Sequence, residues 1–261
     1  MGVLRTKSEL QDAWSGAIDP DAVLRPLHDI ADNTKGNPAN QGNTPGAPAD
    51  SRNYTSDSTI QILMMLSAWI KVSYTLFVGV LVPVYWAERG PANFLWLSDI
   101  ALLAAVPALW MESRFLTSMM AVGVLLPELA WNLDFFLRLI TGYDVFGLNG
   151  TGYMFGTRYT SLFKFLSLFH VILPVLLLWM IRRLGYDRRA VYAQTLLIWV
   201  LLPVCYLATD PARNLNWVFG IGNPPQTWVS GPLYIVLLMC AHPLLVYIPT
   251  HFILKSVFNG R

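Results

Sequence analysis

From about residue 60 to residue 255 the sequence is a succession of apolar stretches, each near 20 residues long, parted by short polar breaks. Some 20 apolar residues in a helix cross the roughly 30 Å hydrocarbon layer of a bilayer. In that layer only helices or closed barrels satisfy every backbone N–H and C=O. The stretches fall at 60–86, 93–111, 115–140, 161–182, 190–209 and 230–255. They predict an all-α polytopic membrane protein, a bundle of about six transmembrane helices in contact with membrane lipids. The second stretch is the shortest.

Composition agrees. Only 13% of the residues are charged, against about 25% in soluble domains, and the mean hydropathy is +0.45. The charge is uneven along the chain. Residues 1–57 hold eight acids and five bases, net −3, and residues 58–261 eight acids and thirteen bases, net +5. The chain thus divides into an acidic N-terminal extension, 1–57, and a six-span region, 58–261. No basic cluster interleaved with aromatics is present, so nucleic acid is not an expected partner. The polar start carries no signal peptide. Cys205 and Cys240 lie in apolar runs and read as buried free thiols rather than a disulfide framework.

Within 1–57, Ser8-Glu9-Leu10-Gln11 is a capping-box pattern, and Asp19-Pro20 puts a cap before a helix-starting proline. Helices are expected at about 8–16 and 20–32. The Gly-, Pro- and Asn-rich stretch 33–53 has too little apolar surface to offset chain entropy. It is expected to be disordered or draped on a protein partner.

Ionisable residues inside the apolar runs carry the functional question. Lys71, Asp99, Glu128, His170 and His242 each fall near the middle of a different expected span. An ionisable side chain at the bilayer centre costs from about 3 to well over 10 kcal/mol unless it is paired or wet. Each span also has a polar stripe at helical spacing: Ser67, Lys71 and Tyr74/Thr75; Glu128 and Asn132; Lys164, Ser167, His170 and Pro174; Pro243, Tyr247, Thr250 and His251. Pro127, Pro174, Pro203 and Pro243 free backbone carbonyls near this depth, which side chains or water must re-satisfy. Lys71, Asp99, Glu128, Asn132, His170 and His242 therefore form the expected intramembrane polar site. It reads as buried structural pairing, a proton or ion path, a ligand cavity, a metal site from Glu128, His170 and His242, or a haem between His170 and His242.

A second polar group is expected at the outer face. Asp134 and Arg138, at i and i+4, read as a local ion pair. Asp210-Pro211 reads as the start of a short helix that runs to Gly220. Arg213, Asn214 and Asn216 on it are expected to be free for a headgroup or other polar ligand. The glycine- and aromatic-rich stretch 141–160 reads as a connector, with an aromatic-anchored lid as the alternative. Arg182, Arg183, Arg188 and Arg189 place the 182–189 loop and both termini on the cytoplasmic side. Trp86, Trp96, Trp217 and Trp228 suit the outer interface.

The stretches NFLWLSDIALL, LLPELAWNLDFFLRL, LATDPARNLNWVFG and LVYIPTHFIL give residues 60–255 a resemblance to a group of uncharacterised multi-span bacterial membrane proteins. The resemblance implies a bacterial inner membrane and carries no activity or cofactor. The leading expectation is an accessory subunit, or a binder or transporter of a small or lipid-like ligand. A membrane-embedded enzyme on an apolar substrate, with Glu128 as base, is the second reading, and a b-type haem protein the third.

Overall fold

The computed structural model describes residues 66–147, 150–222 and 225–258. The helices and linker expected within 1–57 lie outside the described residues.

Among the described residues every regular element is helical. In chain order they are α1 (Ala68–Arg89), a 3₁₀ turn (Pro91–Leu95), α2 (Leu97–Trp110), α3 (Arg114–Thr141), α4 (Gly152–Phe155), α5 (Ser161–Leu166), α6 (Phe169–Leu184) and α7 (Ala190–Ala208). Two 3₁₀ turns (Pro211–Arg213, Leu215–Trp217) follow, then α8 (Gly231–Ala241), a π-helical segment (His242–Tyr247) and α9 (Ile248–Phe258). Five helical runs are long and apolar enough to cross a membrane: 68–89, 114–141, 161–184, 190–208 and 231–258. The expected second span is the exception. The 14 residues of α2 reach only about 21 Å.

Side-chain contacts sort the loops onto two ends. At one end Lys71 meets Glu112 at 2.7 Å, Arg114 donates to the Tyr186 carbonyl, and Tyr186 Oη lies 2.7 Å from His251 Nδ1. At the other end Thr160 donates to Glu88, and Asn216 bonds the backbone of Leu95 and Leu97. So α2 runs back to the Lys71 end, and the 3₁₀ turn that precedes it makes up the missing length. Trp96 and Trp217 meet edge-on at the second end.

α3 is the hub, packed against α2, α6, α7 and the π segment. Along α2, Ala101, Ala105 and Ala108 are fully buried. Small residues at this spacing let helix backbones approach closely where lipid supplies no hydrophobic drive. Leu76, Val175, Leu196 and Leu245 point outward, as lipid-facing positions must. Cys205 is buried as expected, whereas Cys240 is exposed on the outward surface.

Prolines create bonds between helices. Pro174 has no N–H for the His170 carbonyl four residues earlier, and Asn132 Nδ2 of α3 donates to that carbonyl at 2.7 Å. Pro243 likewise frees the Met239 carbonyl, and Trp199 Nε1 of α7 fills it at 2.9 Å. The expectation that neighbouring side chains re-satisfy proline breaks holds at these two sites.

Candidate functional site

Glu128 sits midway along α3 and is 2% exposed. Its Oε2 lies 2.7 Å from His170 Nδ1. His170 reaches it because the chain breaks at Ser167 and Leu168, between α5 and α6, and starts a new helix at Phe169. The imidazole stacks on Trp131, 4.4 Å between centroids, and on Phe169, 4.0 Å. One turn further along α3, Asn132 ties its own helix to His170 through the Glu128 and His170 carbonyls.

Asp99 joins this pair. It lies in the first turn of α2, is 3% exposed, and stands on the helix that packs against α3. Asn93 Nδ2 donates to its Oδ2 at 3.0 Å. The second oxygens, Asp99 Oδ1 and Glu128 Oε1, are buried and meet no hydrogen-bond donor among the described residues. Two carboxyls in one poorly solvated site resist carrying full negative charge together. Compensation comes from the Arg89 guanidinium, whose field reaches Asp99, and from His170 when protonated.

Hydroxyls and rings close the chamber. Ser167 Oγ donates to the Phe163 carbonyl, so the Tyr85 hydroxyl, 2.6 Å away, donates to Ser167. Tyr153, on α4, meets Tyr159 and Phe163 edge-on, and burial holds its phenol well above the ordinary range. Arg89 lies over the rings of Tyr159, Tyr153 and Phe163, at 4.6, 5.1 and 5.5 Å, an arrangement stabilised by cation–π attraction. Thr151 donates from both N and Oγ1 to Asp134 Oδ2, at 3.1 and 2.6 Å, and Arg138 meets Asp144 at 2.7 Å. Residues 150–160 are thus anchored by polar and aromatic contacts.

Several expectations need correcting. Lys71 is not in this chamber. α1 starts at Ala68 rather than near 60, which puts Lys71 in its first turn, beside Glu112 and 5.9 Å from the Trp110 ring centroid. His242 bonds the Leu238 carbonyl on its own helix, and no contact joins it to Glu128 and His170. Among the described residues no three metal-ligating side chains converge, so the proposed Glu128, His170 and His242 ligand set is not assembled. Of the two histidines in the haem reading, His170 Nδ1 is engaged by Glu128 and His242 Nδ1 by the Leu238 carbonyl. Asp134 and Arg138 do not pair with each other. Each holds the 141–160 segment instead.

The 210–220 helix is likewise two 3₁₀ turns, broken at Asn214, where φ is 43°. Asp210 caps the first by accepting from Ala212 N. Asn214 bonds Phe219 N and the Gly220 and Gly222 carbonyls. Asn216 accepts from Leu97 N at 2.9 Å and donates to the Leu95 carbonyl at 2.7 Å. Neither amide is left for a headgroup. Arg213 lies beside Gly90.

Sequence reasoning passed over Tyr85, Arg89, Asn93 and Tyr153. Tyr85 and Arg89 are i, i+4 on the α1 stripe that begins with Lys71 and Tyr74, a spacing that could have marked them. Asn93 and Tyr153 sit in a 3₁₀ turn and a one-turn helix, too short to give a periodic signal.

The fold and composition define a multi-pass α-helical membrane protein with a cluster of buried polar residues. Comparison with protein-family models, with curated proteins and with solved structures finds no match.

Proposed function

We propose that this is a bacterial inner-membrane protein that binds or transports a small ligand in the chamber formed by Asp99, Glu128, His170 and Arg89. One observation carries the reading: Asp99 Oδ1 and Glu128 Oε1 are both buried without a donor among the described residues. A buried acceptor left unpaired costs about 1–3 kcal/mol. A cationic or protonated group placed between the two oxygens removes that cost. Tyr85, Ser167 and His170 offer further polar contacts around it. The enzyme reading, with Glu128 as base, keeps its Glu128–His170 contact but not His242, which bonds the Leu238 carbonyl.

The test is native mass spectrometry of the full chain purified in mild detergent. The wild type is expected to carry a discrete small ligand, which Glu128→Gln and Asp99→Asn variants of normal fold lose. Equal ligand content in wild type and both variants refutes the assignment.

In the same reading the arginine-rich loop and both termini are cytoplasmic, by the positive-inside rule, and the acidic 1–57 extension contacts a protein partner, as in an accessory subunit. A cysteine at Arg188 is expected to react with an impermeant maleimide only after permeabilisation. Reaction in intact cells reverses the orientation.

A further inference from the structure

At the arginine-rich end, α6 and α9 diverge and leave a groove of about 510 Å³, within the range of small-molecule sites. Trp179 and Arg182 of α6 form one wall, and Leu254, Val257 and Phe258 of α9 the other. The walls are apolar except for the Arg182 guanidinium. α6 ends here, at Leu184, beside the basic 182–189 loop, where hydrocarbon gives way to headgroups.

We propose that this groove binds an anionic phospholipid, with an acyl chain along Leu254 and Val257 and the phosphate on Arg182. Basic pockets between membrane helices favour anionic headgroups. The surrounding charge agrees. Arg183 adjoins Arg182, and Lys255 adjoins Leu254. Lys255 and Arg188 both act on His251 through their fields. The carboxylate nearby, Asp187, is engaged by Arg189. A polypeptide fits the groove poorly, because its backbone groups would be unpaired against hydrocarbon. A lipid brings an apolar chain and one anion, which matches the walls. The proposal stands apart from the Glu128 chamber.

The test uses the full-length protein, delipidated in detergent, and phosphatidylglycerol or phosphatidylcholine with identical chains. Native mass spectrometry is expected to show preferential retention of phosphatidylglycerol. Arg182→Ala should weaken that lipid about fivefold and leave phosphatidylcholine unchanged. Arg182→Lys should restore most of the preference, and Arg158→Ala, at the opposite end, should have no effect. Val257→Trp, which fills the groove, should reduce phosphatidylglycerol binding and serves as the test if Arg182→Ala does not fold. Equal binding of the two lipids overturns the proposal, as does an unaltered preference in both groove variants. Displacement of phosphatidylglycerol by inorganic phosphate also overturns it, since a simple anion site would then suffice.

Discussion

The Asn132 side chain donates to the His170 carbonyl, the acceptor that Pro174 leaves without a helical partner. The bond joins α3 to α6 at the level of the Glu128–His170 contact. Asn132→Leu is expected to cost about 1–2 kcal/mol, measured by denaturation in mixed micelles. In a Pro174→Ala background the new N–H at 174 can take the carbonyl, so the same substitution should cost less. Additive effects of the two changes would show that Asn132 and Pro174 act independently.

Glu128 and Asp134 stand a turn and a half apart on α3 and hold different things. Glu128→Ala removes His170's partner inside the bundle and is expected to lower the yield of folded protein. Glu128→Gln retains a hydrogen-bonding group and should largely restore it. Asp134 is 6% exposed and grips Thr151, so Asp134→Ala should leave the bundle intact and expose residues 150–160 to protease. Thr151→Val should reproduce much of that sensitivity. A resistant loop in both variants would mean that its aromatic contacts suffice.

Asn216 serves α2 from far along the chain. Asn216→Ala leaves Leu97 N–H and the Leu95 carbonyl without their present partner, at about 1–3 kcal/mol for each group that water cannot reach. Hydrogen exchange should accelerate first at the start of α2 and only later in α3. Uniform acceleration over both helices would argue against a local cap.

At the arginine-rich end, the Arg189 side chain, which bonds Asp187 at 2.8 and 3.1 Å, holds the Asp187 carboxyl below its ordinary value. A lowered folded-state value contributes stability above the unfolded value, near pH 4, and loses it as pH falls through the folded one. Arg189 is solvent-exposed and Asp187 half-buried, so the contribution is small and screened by salt. Arg189→Gln should raise the Asp187 titration midpoint toward the ordinary range, followed by NMR. An unmoved midpoint would assign the shift to another group.

Long apolar runs made the spans legible, and the matching depth of residues 128 and 170 on consecutive spans made their contact legible. What escaped was decided by segment ends and irregular backbone. Lys71 moved out of the chamber because α1 starts at Ala68, several residues after the hydropathy rises. Asp134 and Arg138 have pairing geometry on a helix, yet a segment folding back from the 141–160 stretch supplies each with another partner. Asn214 and Asn216 adopt left-handed backbone angles, which asparagine tolerates better than most residues. A helical register cannot represent that conformation, so their roles as braces were invisible.

The shortness of α2 has a consequence for biogenesis. Fourteen residues are too few to stand alone as a membrane span, and the Leu97 amide waits for a partner 119 positions later. While α2 leaves the ribosome, Asn216 has not been made. The α1–α2 hairpin must therefore be held provisionally, by a chaperone, by the insertase or by water at its upper end, until α7 and the turns that follow it arrive. The final seating of the second helix belongs to the closing stage of synthesis, and a chain cut short after α6 would insert its helices yet leave this one unfinished.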